Sequence, residues 1–163
     1  MNATFETPAP VTKSRAMNPA KRKILLVNDD PATSQRLSRQ LAGEDFLVLT
    51  AANGGDALEL VNITKFDLVL LDLKAQVEDG WEIFGQLSAQ NPLLPVVLIT
   101  DRSNQFFHAV ASGFGALLEK PLNFTRLFRT INSLLEEPAE ERLARFMGRP
   151  AVFHHIPPKA GAP

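Results

Sequence analysis

The chain has 163 residues, with 17 Lys and Arg against 18 Asp and Glu and 45% hydrophobic residues, which is typical of one ordinary globular domain. It contains no Cys, and this excludes disulfides, thiolate metal sites and a Cys nucleophile. No apolar run approaches the roughly 18 residues of a membrane span, and the first twenty residues lack the apolar stretch of a secretory signal, so we expect a cytoplasmic protein with no membrane contact.

Charge and proline divide the chain into three parts. Residues 1–23 hold five basic residues and one acidic residue, and residues 138–163 hold four basic and two acidic residues. The middle, residues 24–137, has a net charge of −7. We predict a flexible basic arm over 1–21, one folded domain over 22–137 and a Pro-rich tail over 138–163. In that tail a mobile chain is expected, with a short helix at 139–147 as the alternative, and His154 and His155 are assigned to a disordered segment rather than to a metal site. The acidic middle is a poor candidate for direct contact with nucleic acid.

The middle alternates between two hydrophobic periodicities. Short apolar runs, typical of strands buried on both faces of a parallel sheet, predict five strands: Ile24–Val27, Phe46–Ala51, Phe66–Leu71, Pro95–Thr100 and Ala116–Glu119. Asp30 followed by Pro31 predicts a capped helix that runs to about Ala42. The other helices are predicted at Gly55–Val61, Trp81–Gln90, Asn104–Ser112 and from an Asn123 cap to about Glu136. Five strands in strict alternation with five helices indicate an α/β fold with an open, doubly wound parallel sheet.

Polar side chains follow four of the five predicted strands. Asn28, Asp29 and Asp30 follow the first strand. Asp72 follows the third strand, Thr100 ends the fourth, and Lys120-Pro121 follows the fifth. In a doubly wound sheet these positions meet at one edge, where ligands bind. Two nearby carboxylates require a proton or a cation, and oxygen ligands with open positions suit Mg²⁺. We therefore predict phosphoryl-transfer chemistry, with Asp72 as nucleophile and with Lys120 and Thr100 bound to phosphoryl oxygens.

The residues at this edge carry a resemblance to a known family. The segments that match in order and spacing are Ile24-Leu25-Leu26-Val27-Asn28-Asp29-Asp30-Pro31, Asp72 with Asp79-Gly80, Val96-Val97-Leu98-Ile99-Thr100 and Gly113 to Leu118-Glu119-Lys120-Pro121. The chain resembles a response-regulator receiver domain of two-component signalling over about residues 22–137. The resemblance implies a flavodoxin-like fold with strand order 2-1-3-4-5.

The resemblance also implies a role for each site residue. Asp72 resembles the phosphoacceptor, Thr100 the switch hydroxyl and Lys120 the lysine that contacts the phosphate. Asp29, Asp72 and the backbone carbonyl of Lys74 resemble the ligands of Mg²⁺. The peptide before Pro121 is expected to be cis. The implied donor is a sensor histidine kinase or a histidine phosphotransfer protein, and the implied output is an altered contact with another protein.

The chain departs from the family pattern at four places. Asn28 stands where the family usually has a second acid, which predicts weaker binding of the metal. Asp101 takes a position that is usually small, and Leu117 replaces an aromatic residue that moves with the switch threonine. Ala75-Gln76 replaces an apolar residue and Pro in the loop after Asp72.

Three functions are compatible with these residues. The first is a stand-alone receiver that accepts a phosphoryl group and is not an enzyme with turnover. The second is a degenerate receiver that binds partners without phosphorylation, and Asn28, Asp101 and Leu117 favour it. The third is a small phosphatase or phosphotransferase, for which the chain shows no separate general acid. Basic residues at Lys74 and Arg102 suggest that the lifetime of a phosphoryl group is prolonged.

Overall fold

The computed structural model of the chain describes residues 20–72, 77–102 and 104–159, and for residues 77–80 and 107 the backbone alone. One parallel sheet runs through these residues in the order β2-β1-β3-β4-β5-β6. Its strands are β1 Lys23–Asn28, β2 Leu47–Ala51, β3 Leu68–Asp72, β4 Val96–Thr100, β5 Ala116–Glu119 and β6 His154–Ile156. The predicted order 2-1-3-4-5 is confirmed, whereas the count of five strands is wrong because β6 pairs with β5.

Helices cover both faces of the sheet. They are α1 Pro31–Gly43, α2 Gly54–Ile63, α3 Val77–Gln90, α4 Phe106–Ser112, α5 Phe124–Leu135 and α6 Ala139–Phe146. Side chains of α1 and α5 pack with one face of the strands, and side chains of α2, α3 and α4 pack with the other. Residues of β3 and β4 are buried throughout, as the continuous apolar runs predict. The predicted doubly wound architecture is confirmed.

Helix starts follow the local chemistry of their caps. The Asp30 side chain accepts a hydrogen bond from the Thr33 backbone N–H, and Pro31 occupies the first turn of α1. Asn123 caps α5 in the same way by accepting from the N–H of Arg126 at 3.1 Å. The predicted start of α4 at Asn104 is two residues early, because Asn104 has a φ of 67° and cannot belong to a right-handed helix. Helix α3 begins at Val77, four residues before the predicted start at Trp81.

The expectation of a mobile tail is wrong for residues 138–159. Helix α6 forms within the range named as the alternative, and His154 and His155 belong to β6. Two arginines hold α6 on the domain. Arg142 donates from Nη2 to the carbonyl oxygens of Leu134 and Leu135 at 2.7 and 3.1 Å, and so satisfies the last turn of α5. Arg145 is buried and forms an ion pair with Glu137.

The first nineteen residues, which make up most of the predicted N-terminal arm, lie outside the described residues. Of the helices in residues 20–72, 77–102 and 104–159, none is both long and apolar enough to cross a membrane.

Candidate functional site

The carboxyl ends of four strands carry Asn28 and three of the predicted site residues, Asp72, Thr100 and Lys120. Asn28 and Asp72 are direct partners in the register of β1 and β3, and Thr100 is the partner of Glu119 in the register of β4 and β5. Lys120 follows Glu119, and its backbone N–H donates to the carbonyl oxygen of Thr100 at 2.8 Å. The strand ends thus bring together polar groups that are as much as 92 positions apart in the chain (Asn28 to Lys120).

Asp72 lies at the centre of this edge and is only 1% exposed. Its Oδ1 forms an ion pair with Lys120 Nζ at 2.9 Å, and its Oδ2 accepts a hydrogen bond from Asn28 Nδ2 at 3.1 Å. Burial raises the pKa of Asp72 above its ordinary value, the ammonium of Lys120 opposes that rise, and the charges of Asp29 and Asp101 add to it. The carboxylate is therefore held in place while its negative charge is only partly compensated.

Asn28 has a structural role that the sequence did not reveal. Its Nδ2 donates to Asp72, and its Oδ1 accepts from the backbone N–H of Asp30 at 2.7 Å. This amide, which is 4% exposed, connects the carboxylate to the segment that begins α1. A carboxylate at position 28 could accept from Asp30 but could not donate to Asp72. Asn28 therefore lowers the negative charge of the site and adds a donor to Asp72.

Thr100 ends β4, the strand next to that of Asp72, and Leu117 lies on β5 opposite Leu98. Thr100 is 6% exposed, and its Oγ1 accepts from the backbone N–H of Arg102 at 3.0 Å. Leu117, at the expected aromatic position, is fully buried among the apolar side chains of the α2, α3 and α4 face. The Lys120–Pro121 peptide bond is cis, as the resemblance implied. Arg102 and Asp101 are exposed.

The donor set fits Mg²⁺. Asp29 and Asp72 would supply carboxylate oxygens, and the charges of Asp29 and Asp101 add to the rise in the pKa of Asp72, an effect that a bound cation would oppose. Lys74 and Ala75-Gln76 lie outside the described residues. Across the residues that the structure does describe, no group of three or more Asp, Glu or His side chains could hold a metal ion, and water would complete the coordination of Mg²⁺.

A cavity of about 380 Å³ opens beside Asp72 and Lys120. Its other walls come from the first half of α1 and from the segment after Lys120, namely Thr33, Arg36, Leu37, Pro121, Leu122 and Phe124. Arg36 adds a second cation to the ammonium of Lys120 at this opening. Asp72 therefore lines a cavity that also carries two cationic side chains.

Comparison with known proteins agrees with this geometry. The model of the response regulator receiver domain family matches residues 24–132. The transcriptional regulatory protein GlrR of Escherichia coli is 32% identical over 118 residues, which are 71% of this chain and 27% of that protein. The transcriptional regulatory protein ZraR of Salmonella typhimurium is 36% identical over 122 residues, which are 74% of this chain and 28% of that protein. The chain thus spans little more than a quarter of the length of these relatives.

Two solved structures are similar over most of the described fold. A CheY-like response regulator receiver domain protein from Methanospirillum hungatei has a TM-score of 0.67 at 26% identity, covering 74% of this chain and 97% of that one. The response regulator TrrA from Thermotoga maritima, solved in complex with Mg²⁺ and BeF, has a TM-score of 0.62 at 27% identity and covers 69% of this chain and 98% of that one.

Proposed function

The chain belongs to the response-regulator receiver domain family, and from that membership we propose that Asp72 accepts a phosphoryl group from a phosphohistidine donor. The donor would be a sensor histidine kinase or a histidine phosphotransfer protein. The observation that carries the proposal is the buried carboxylate of Asp72, paired with Lys120 at 2.9 Å beside an open cavity. We also propose that the protein acts in the cytoplasm.

The proposed transfer uses groups at the carboxyl ends of the strands. One carboxylate oxygen of Asp72 forms a bond to phosphorus while the phosphorus–nitrogen bond of the donor breaks, and the electron pair of that bond stays on the donor's imidazole. Lys120 Nζ, which is paired with Asp72, would bind one phosphoryl oxygen. The Thr100 hydroxyl, on the strand next to that of Asp72, would donate a hydrogen bond to a second phosphoryl oxygen. Asp29, Asp72 and, as the resemblance implies, the backbone carbonyl of Lys74 would hold Mg²⁺, which would neutralise charge between the carboxylates and the phosphoryl group.

Mass spectrometry of the intact protein tests this function. The protein is treated with a small phosphodonor such as acetyl phosphate, with and without Mg²⁺. We expect one phosphoryl group per chain in the presence of Mg²⁺ and none in Asp72→Asn. Asp45→Asn is the matched control, because Asp45 is exposed and pairs with Lys21 far from this edge. Failure of the wild type to gain mass, under conditions that label an ordinary receiver, contradicts the proposal.

We further propose that signalling occurs through protein contacts and without catalytic turnover, direct contact with nucleic acid or contact with a membrane. The relatives named above are transcriptional regulators, but this chain spans only 27% and 28% of them, and the matched part is the receiver. The net charge of −7 on the middle part supports a protein partner, since protein surfaces that bind the negatively charged phosphates of nucleic acid are basic.

A receiver that binds partners without phosphorylation is the second candidate, and the bond from Asn28 to Asp72 favours it. At position 28 the amide supplies a hydrogen-bond donor to Asp72, where the family usually has a negatively charged carboxylate. This function predicts partner binding that does not change with Mg²⁺, with beryllofluoride or in Asp72→Asn.

A further inference from the structure

The end of the described chain returns to the edge of the sheet that carries Asp72. After α6, Val152 is anchored by Arg145 Nη1, which donates to its carbonyl oxygen at 3.0 Å. Residues 153–159, which we call the strap, then run parallel to β5, with His154 opposite Ala116 and Ile156 opposite Leu118. The strap starts at the amino end of β5 and finishes beyond its carboxyl end, at the segment that contains Lys120.

The strap contacts residues on both sides of Lys120. His155 Nε2 lies 2.8 Å from Oε2 of Glu119, the residue before Lys120. The backbone N–H of Lys159 donates to the carbonyl oxygen of Pro121, the residue after it, at 2.8 Å. On the other side, the N–H of Lys120 is fixed by Thr100 on β4. The position of Lys120 Nζ against Asp72 therefore depends on a three-residue segment that the strap holds at both ends.

The strap also covers part of α4. The Phe106 ring contacts the Phe153 ring edge-on, with centroids 5.5 Å apart, and lies 5.2 Å from the His155 ring. Strand β6 has only three residues. The residues that follow it, from Pro157 to Lys159, are exposed. A short edge strand with exposed hydrogen bonds opens at low cost, whereas its anchor on α6 is buried. The strap can therefore be released without unfolding the rest of the domain.

We propose that the strap is a regulatory element that favours the unphosphorylated state by holding the segment 119–121, and that a phosphoryl group on Asp72 releases it. In the present geometry Lys120 Nζ is bound to a carboxylate oxygen of Asp72 itself. A phosphoryl oxygen lies farther out, so Lys120 must shift to reach it, and the shift strains the contacts of Glu119 and Pro121 with the strap. Release exposes the edge of β5 and the Phe106 side of α4, which the strap covers in the present structure. The proposal rests on phosphorylation of Asp72.

Hydrogen exchange of the full chain gives the first test. We expect the amides of His154 and Lys159 to exchange about fivefold faster once Mg²⁺ and beryllofluoride are bound, because coupling between sites usually has at least that size. In Lys120→Ala without any ligand, the same amides exchange faster than in the wild type, since the ion pair with Asp72 no longer holds the segment. Unchanged exchange of the strap in Lys120→Ala overturns the proposal whether or not the protein can be phosphorylated. If Asp72 takes no label while the strap of Lys120→Ala still exchanges faster, the proposed function and the release by phosphorylation fail, whereas the link between Lys120 and the strap stands.

The reciprocal test weakens the strap and measures phosphorylation. Thermodynamic linkage requires the same factor in both directions, so Phe153→Ala and His155→Ala are expected to raise the ratio of labelled to unlabelled protein at equilibrium by about fivefold. Val152→Ala is the matched control, because that side chain is exposed and its backbone contacts remain. His155→Gln retains a donor toward Glu119 and is expected to behave like the wild type. A merely structural role would lower labelling, so a loss or no change in the two strap variants overturns the proposal.

Discussion

Replacing Asn28 by Asp is the most direct perturbation of this site, because it restores a carboxylate at one position without a change in side-chain size. The wild-type amide donates to Asp72 Oδ2 at 3.1 Å and accepts from Asp30 at 2.7 Å. Aspartate retains the second hydrogen bond, loses the first and places two carboxylates side by side. Both groups lie within an edge where Asp72 is already buried and only partly compensated by Lys120.

The expected cost follows from that contact. Two charges whose centres are about 5 Å apart repel by about 3 kcal/mol at an effective dielectric constant of about 20. The lost hydrogen bond adds about 1 kcal/mol. For a domain of this size, a combined loss of about 4 kcal/mol corresponds to a decrease in Tm of about 10 °C. The variant should regain stability with Mg²⁺, since saturation at a hundredfold excess over Kd contributes about 2.7 kcal/mol.

Thermal unfolding in EDTA and in Mg²⁺ measures both effects. Asn28→Ala is the control, because it removes both hydrogen bonds of the amide without adding charge, and it should show a smaller loss that Mg²⁺ does not selectively reverse. If Asn28→Asp is as stable as Asn28→Ala in EDTA, the two side chains are not in contact and the electrostatic account of the site is refuted.

Other predictions concern the pH dependence of stability and the C-terminal helix. Burial raises the pKa of Asp72 above its ordinary value of 3.8. In metal-free buffer, as the pH rises above that value, the unfolded chain therefore loses the proton of the Asp72 carboxyl while the folded chain retains it. Wild-type stability should therefore fall relative to Asp72→Asn as the pH rises through that window, and urea titrations that show a constant difference contradict the shift. Arg145→Met leaves Glu137 as a buried carboxylate with Arg142 at 3.9 Å as the remaining ion-pair partner, and should cost about 3 kcal/mol. Chemical unfolding beside the exposed control Arg149→Met measures this cost, and equal losses in the two variants refute a structural role for the ion pair.

Residues with strong local signals made most of the fold predictable. The runs at β1, β3 and β4 are continuously apolar because both faces of a parallel sheet are covered, and no helical periodicity competes with them. Asp30-Pro31 and Asn123 fixed two helix starts through cap chemistry. From these elements the meeting of Asp72, Thr100 and Lys120 followed, since strand ends in such a sheet share one edge.

The C-terminal part could not be predicted because polar contacts hold it in place. Arg142 and Arg145 carry no local pattern that indicates a buried role, yet their partners are carbonyl oxygens and a carboxylate at the end of α5. Strand β6 has three residues with two His and no alternating pattern, so only its pairing with β5 reveals it. The donor role of Asn28 was missed for a similar reason, because composition shows the lost charge but not the direction of the amide.

The path of the strap also decides where additional polypeptide would leave this domain. Lys159 reaches Pro121, so a fluorescent label, a fusion partner or an affinity tag joined after it would emerge close to the mouth of the cavity beside Asp72. Residues 20–22 precede β1 and lie at the opposite edge of the sheet. Attachment at the amino-terminal side would therefore leave access for a phosphodonor unobstructed, and attachment at the other side would crowd it.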